Sequence, residues 1–199
     1  MGKGNEMENG TTNVLIVGVG GQGVILASEI LSEVARQTGL DTKKSEVHGM
    51  SQRGGVVTSH VRFGRKVHSP LIPTGQSDVV LAFELAEGMR WVNELKDGGT
   101  IIVNRQEIVP PITATGTFSY PGNAEETVRK RVPNAKFIDA HALATDLGNT
   151  RLVNTILLGV LSRSLRLEEK TWLAVIERMA PKGTGELNKK AFLAGRSQK

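Results

Sequence analysis

The sequence predicts an open, mostly parallel α/β sheet flanked by helices, and three observations carry that expectation. The apolar run Asn13-Val-Leu-Ile-Val-Gly18 ends in glycine and leads into Val24, Ala27, Leu31 and Val34 at helical spacing. A second run, Asp78-Val-Val-Leu-Ala-Phe83, is short, β-branched and uninterrupted by polar residues, as a strand covered on both faces requires. Strand-like and helix-like segments then alternate along the chain, the order that builds parallel sheets. With 199 residues, 39% hydrophobic and 23% charged, the chain has the size of one domain with a substantial core. Residues 13–199 are expected to form that domain, and the polar, glycine-rich residues 1–12 a disordered N-terminus.

The first strand, Asn13–Gly18, is followed by a helix within Gly21–Thr38, with Gly39 as its stop. A second strand at Lys43–Val47 leads into the loop His48–Gly55. Val57, Ser59, Val61 and Phe63 then alternate with Thr58, His60 and Arg62, the period of a strand, and Val67–Ser69 is expected to pair with it across Gly64-Arg65 as a small antiparallel hairpin insertion. Asp78–Phe83 is the next parallel strand, with a helix over Glu84–Leu95, a turn at Asp97-Gly-Gly99 and a strand at Thr100–Val103. Beyond Pro110-Pro111 come a strand near Thr117–Tyr120, a helix near Ala124–Arg131 and a strand at Lys136–Ile138. The C-terminal part reads as helical. An apolar stripe of Leu152, Val153, Ile156, Leu157, Val160 and Leu161 marks a helix within Arg151–Ser164, and Glu168–Met179 and Thr184–Ala194 follow.

Composition narrows the function. There is no cysteine, so the chain supplies no thiolate for a disulfide, a zinc site or an iron–sulfur cluster. Aromatics are 4%, too few for a base-stacking platform, so nucleic-acid binding would rest on the net charge of +5 alone. No partner nucleic acid is expected. The four histidines lack metal-ligand spacing, and no metal is assigned. Neither a signal peptide nor a run of about 18 apolar residues is present, which leads us to expect a soluble, cytoplasmic protein without membrane contact.

Two motifs suggest a ligand. Gly18-Val-Gly20-Gly21-Gln22-Gly23 fits G-x-G-x-x-G between a strand and a helix, a Rossmann-like context in which backbone N–H groups at the helix start receive an anion. Tight helix–sheet packing without a ligand explains the same glycines. A dinucleotide site also needs an acid at the end of the second strand; Asp41 precedes that strand and Glu46 stands near its end. The second motif, Ser51-Gln52-Arg53-Gly54-Gly55, places an amide and a guanidinium beside two glycines at the carboxyl end of a strand, where ligands of such sheets bind. Arg53 suits a carboxylate or phosphate, with Gln52 in a supporting role; a solvated loop is the plainer alternative. Asn154, entering the apolar helix, is a further candidate for facing a ligand or partner.

Taken together, the Val14–Val24 segment with its Gly-Gly-Gln-Gly, the Ser51–Gly55 loop, Val61-Arg62, Asp78–Ala82 and Asn154-Thr-Ile-Leu-Leu-Gly159 resemble the gamma-type domain of 2-oxoacid:ferredoxin oxidoreductases, in order and spacing over most of the chain. Length, lack of cysteine and lack of an appended domain look most like the small subunit of the enzymes that act on indolepyruvate. The resemblance implies a hetero-oligomer whose large alpha subunit carries thiamine diphosphate and iron–sulfur clusters. That subunit would oxidatively decarboxylate an aryl 2-oxoacid with coenzyme A and pass electrons to ferredoxin. On this reading the small chain binds no cofactor alone and is inactive in isolation, and the Gly20–Gly23 turn and the Gln52-Arg53 loop face the partner's active centre or the coenzyme A path. A pyruvate or 2-oxoglutarate enzyme is the neighbouring possibility, and a free-standing dinucleotide-binding oxidoreductase the alternative from another class.

Overall fold

Val14, Leu15, Ile16 and Val17 are each 1% exposed or less, so the first apolar run is buried on both faces. It forms the middle of the sheet in a computed structural model that describes residues 10–48, 55–109 and 119–198. The chain runs β1 (Thr11–Val19), α1 (Val24–Gln37), β2 (Asp41–His48), β3 (Val56–Gly64), β4 (Ser77–Ala82), α2 (Leu85–Trp91) and β5 (Leu95–Asn104). It continues through α3 (Ala124–Arg131), β6 (Lys136–Ile138), α4 (Ala140–Asp146), α5 (Val153–Ser162), α6 (Glu169–Met179) and α7 (Gly185–Arg196). The sheet order is β2-β3-β1-β4-β5-β6. β1, β4, β5 and β6 are parallel to one another, while β3 runs antiparallel to both of its neighbours.

Side-chain alternation divides the core in two. Val14 and Ile16 of β1 join Val79, Leu81 and Ile102 beneath α1, α5, α6 and α7, around Trp172 and Phe192, whose rings stack at 5.5 Å. Leu15 and Val17 point the other way, with Val80, Ala82, Ile101 and Val103, against Leu85 of α2 and Ala124 and Val128 of α3. Helices on both faces explain why these strands read as unbroken apolar runs.

The expected hairpin is not formed. Val67–Ser69 contains no strand, because both edges of β3 are already taken by β1 and β2 and none is left for a third partner. Side chains hold the segment instead: Arg62 Nη1 donates to the carbonyls of Ser69 and Leu71 at 2.9 and 2.8 Å, and Val67 N–H donates to Asp41 Oδ2 at 2.9 Å. That last bond is the main reason the Asp41 carboxyl sits below its usual range. The strand expected near Thr117–Tyr120 falls partly outside the described residues; Ser119 and Tyr120 are not in a strand. α4 carries none of the apolar stripe that marks α5 and is an addition to the reading. β1 begins at Thr11, since the β1–β3 ladder runs from Thr11↔Gly64 to Val19↔Val56.

Two contacts fix the helical layer. α5 and α7 cross at backbone distance: a Cβ on Gly159 would stand 2.1 Å from the Phe192 carbonyl oxygen, and one on Gly195 1.9 Å from that of Ile156. α1 and α6 are joined at Glu33, whose carboxylate accepts from Arg178 and Arg36. The two guanidiniums, Arg178 foremost, hold its carboxyl down to about 2. A depressed carboxyl stabilises the fold fully above the ordinary carboxylate range, and that contribution disappears as pH falls toward the folded value. Glu33→Gln is therefore expected to flatten the loss of stability between about pH 5 and pH 2. Urea midpoints across that range check this, and a slope equal to wild type contradicts it.

Candidate functional site

Strand order reverses its direction of growth between β1 and β4, because the chain passes from β1 outward to β2 and β3 and then returns to β4 on the other side. In open α/β sheets such a point leaves a crevice at the carboxyl ends of the strands. A groove of about 470 Å³ opens here, lined by Gly20, Gly21, Gln22 and Gly23, by Gln106 and Ile108 after β5, and by His141, Thr150, Arg151, Val153 and Asn154.

The glycine turn is built from the inside. Gly23 caps α1 with φ +83°, a left-handed conformation that a Cβ resists. Gln22 is tied at both ends of its amide: Oε1 accepts from Val19 N–H at 2.8 Å, and Nε2 donates to the Phe83 carbonyl at 2.9 Å and to Gln106 Oε1 at 3.2 Å. Its side chain thus stitches the turn after β1 to the ends of β4 and β5. Gly18 is buried behind the groove instead of lining it, and a Cβ there would stand 2.8 Å from Gln22 Oε1 and 2.9 Å from Phe83 Cβ. Close packing accounts for a glycine at this place in the motif. Gly20 N–H donates to the Gly55 carbonyl at 3.0 Å, so the end of the second motif lies against the first. Ser51, Gln52, Arg53 and Gly54 lie outside the described residues.

Asn154, 7% exposed, closes the groove from α5. Its Oδ1 accepts from Thr155 N–H and Oγ1 at 2.8 and 3.3 Å. Its Nδ2 has no hydrogen-bond partner among the described residues and sits 2.9 Å from where a Gly23 Cβ would be. Arg151 is exposed at the rim and makes no ion pair among the described residues. Among the described residues the lining contains no carboxylate. An arginine, an unengaged amide N–H and the N-terminal end of α1 thus converge on one groove, a donor set suited to an anionic or carbonyl-rich ligand.

Behind the Ile108 wall lies a polar cluster that sequence reasoning missed. The Glu84 carboxylate, 1% exposed, caps α2 by accepting from Glu87 N–H at 2.9 Å. It also takes Ile108 N–H at 3.1 Å and the hydroxyl of Tyr120. Burial first, then Glu84, push the Tyr120 phenol well above its usual range. One carboxylate thereby binds the segments on either side of residues 110–118 to the end of β4. An acid immediately after a buried strand was a readable cap signal; Tyr120, 36 positions away, carried none.

The acid sought for a dinucleotide is misplaced. β3 separates β2 from β1, so the end of β2 is one strand removed from the glycine turn. Glu46 accepts from Lys44 at 2.7 Å and from Ser28 at 3.3 Å, and Asp41 holds Val67. Among the described residues no group of three or more potential metal ligands occurs, and no helix is long and apolar enough to cross a membrane.

Comparison with known proteins adds the following. The family described as pyruvate ferredoxin/flavodoxin oxidoreductase matches residues 13–198. Indolepyruvate oxidoreductase subunit IorB of Thermococcus kodakarensis is 38% identical over 188 residues, covering 92% of this chain and 93% of that one. The gamma subunit of a keto/oxoacid ferredoxin oxidoreductase from Geobacter sulfurreducens superposes with TM-score 0.67 at 25% identity, over 92% of this chain and 95% of that one. A 2-oxoglutarate:ferredoxin oxidoreductase from Magnetococcus marinus, solved with 2-oxoglutarate, coenzyme A and succinyl-CoA bound, superposes with TM-score 0.71 at 18% identity. There the fold covers 95% of this chain but only 31% of the longer one.

Proposed function

We propose, for a chain that belongs to the pyruvate ferredoxin/flavodoxin oxidoreductase family, that it is the small subunit of a ferredoxin-dependent oxidoreductase of indolepyruvate and other aryl pyruvates. The observation that carries this reading is the end-to-end likeness to an indolepyruvate oxidoreductase subunit, 38% identical with more than nine-tenths of both chains covered. The reaction takes a 2-oxoacid and coenzyme A to acyl-CoA and CO2, with the two electrons passed to ferredoxin. A thiolate-held iron–sulfur cluster has no ligand in a chain without cysteine, so we assign the clusters, and thiamine diphosphate with them, to a large partner subunit.

What this chain contributes is the groove at the switch point. We assign to it the anionic end of coenzyme A or its approach path. Arg151 and the start of α1 supply positive potential, and Asn154 Nδ2 donates to a phosphate or amide oxygen; to Arg53, with Gln52 in support, we assign a further donor to the same anionic group. The displaced acid of β2 disfavours a free-standing dinucleotide enzyme.

Arg53→Ala in the assembled enzyme tests the loop's part. A hydrogen bond to a charged group contributes about 1.5–3 kcal/mol, so the KM for coenzyme A is expected to rise roughly 10- to 100-fold with kcat at saturation retained. An unchanged KM and kcat would remove Arg53 from the site.

A further inference from the structure

β2 is an edge strand. It pairs with β3 along its whole length, Asp41↔Gly64 to His48↔Val57, and no strand among the described residues covers its other side. An open edge of this length is a template for another strand. Its charges are what identify the occupant.

Residues directly opposed in an antiparallel pair have their side chains on the same face. When a strand pairs with its own copy about a two-fold axis, the opposed residues are therefore separated by an even number of positions, and each register is centred on one residue. Centring Asp41–His48 on Lys43, Lys44 or Glu46 sets like charge against like charge, and centring it on any other residue but Ser45 opposes at most three of its residues. Centring it on Ser45 sets serine against serine, Lys44 against Glu46 twice, and Lys43 against Val47 twice. On one face Lys44 and Glu46 already form an ion pair at 2.7 Å next to Glu29 of α1, and two copies would join into an alternating square of four charges. On the other face Val47, 53% exposed and one of the few large apolar side chains left open, would lie under the alkyl stem of the second copy's Lys43. Lysines on an edge discourage pairing with an arbitrary strand, and here charge and length of overlap together favour one register with one partner.

We infer that β2 pairs with β2 of a second copy of this chain, in the antiparallel register centred on Ser45, and so joins two six-stranded sheets into one. The small subunit is on this account the dimerising element of the assembly, independently of what its groove binds.

Sedimentation of the full chain tests this. Wild type is expected to be a dimer at micromolar concentration, K44E to dissociate at least about tenfold more readily, and the K44E/E46K double variant to recover the dimer by restoring opposite charges across the axis. A monomeric wild type would overturn the proposal, as would a dimer that K44E leaves untouched. Amide hydrogen exchange on the wild-type chain needs no substitution: successive β2 amides should be uniformly protected, as in a strand paired on both edges. Alternating protected and unprotected amides would overturn it. Uniform protection that appears only when a large subunit is added would also overturn it, and would give the edge to that subunit.

Discussion

Gly195→Ala is expected to destabilise the chain by about 3 kcal/mol, and Gly159→Ala by a similar amount. The sign is the informative part. In the interior of an open helix, alanine is favoured over glycine by about 1 kcal/mol, so both changes would stabilise α5 and α7 if the helices did not touch. They touch at backbone distance: the added Cβ atoms would stand 1.9 Å from the Ile156 carbonyl oxygen and 2.1 Å from that of Phe192. Neither oxygen can yield without shifting its helix, and α5 is buried from Val153 to Ser162. The helix layer that backs the groove at Asn154 is therefore held by two missing side chains. Urea denaturation at neutral pH measures the effect; a stability equal to or above wild type would mean that α7 does not pack on α5 as described.

Gly23→Ala is expected to leave the fold standing and lower turnover of the assembled enzyme about 100-fold. A left-handed alanine costs roughly 1–2 kcal/mol, which a domain with about 5–15 kcal/mol of stability survives. The functional loss comes from displacement: the new Cβ would meet Asn154 Nδ2 at 2.9 Å, pushing apart the turn and the amide that flank the groove, and errors of about 1 Å in a site can cost two orders of magnitude. Gly39→Ala separates strain from site. Gly39 has φ +82° and nothing within 4 Å of its Cβ position, after the far end of α1. It is expected to cost similar backbone energy with turnover unchanged. Equal turnover for wild type and Gly23→Ala would remove the turn from function.

Much of this molecule was legible from periodicity, because its central strands are covered on both faces. Val14–Val17, Val79–Ala82 and Ile101–Val103 read as uninterrupted apolar runs for the same reason that they are buried in two separate cores. The partner of β3 was misread. Alternation in Val57–Phe63 reports a half-buried strand but not which edges it occupies, and β3 enters the sheet between β1 and β2 while Val67–Ser69 stays outside. The glycine motif was readable as a turn opening a helix. That Gly18 packs and Gln22 braces against Phe83, while Gly23 and Asn154 meet at the groove, depends on contacts between residues far apart in sequence. Glu84 and Tyr120 illustrate the same limit, since their link depends on how the chain after β5 folds back over β4.

The central claim is that this chain works within a larger oxidoreductase. Affinity capture from an anaerobic extract of its source cells tests it most directly, with iron content and 2-oxoacid-dependent dye reduction measured on the captured material. The account predicts recovery of a larger iron-containing partner and reduction that depends on indolepyruvate and coenzyme A. Recovery of this chain alone, colourless and binding a nicotinamide or flavin dinucleotide, would contradict it.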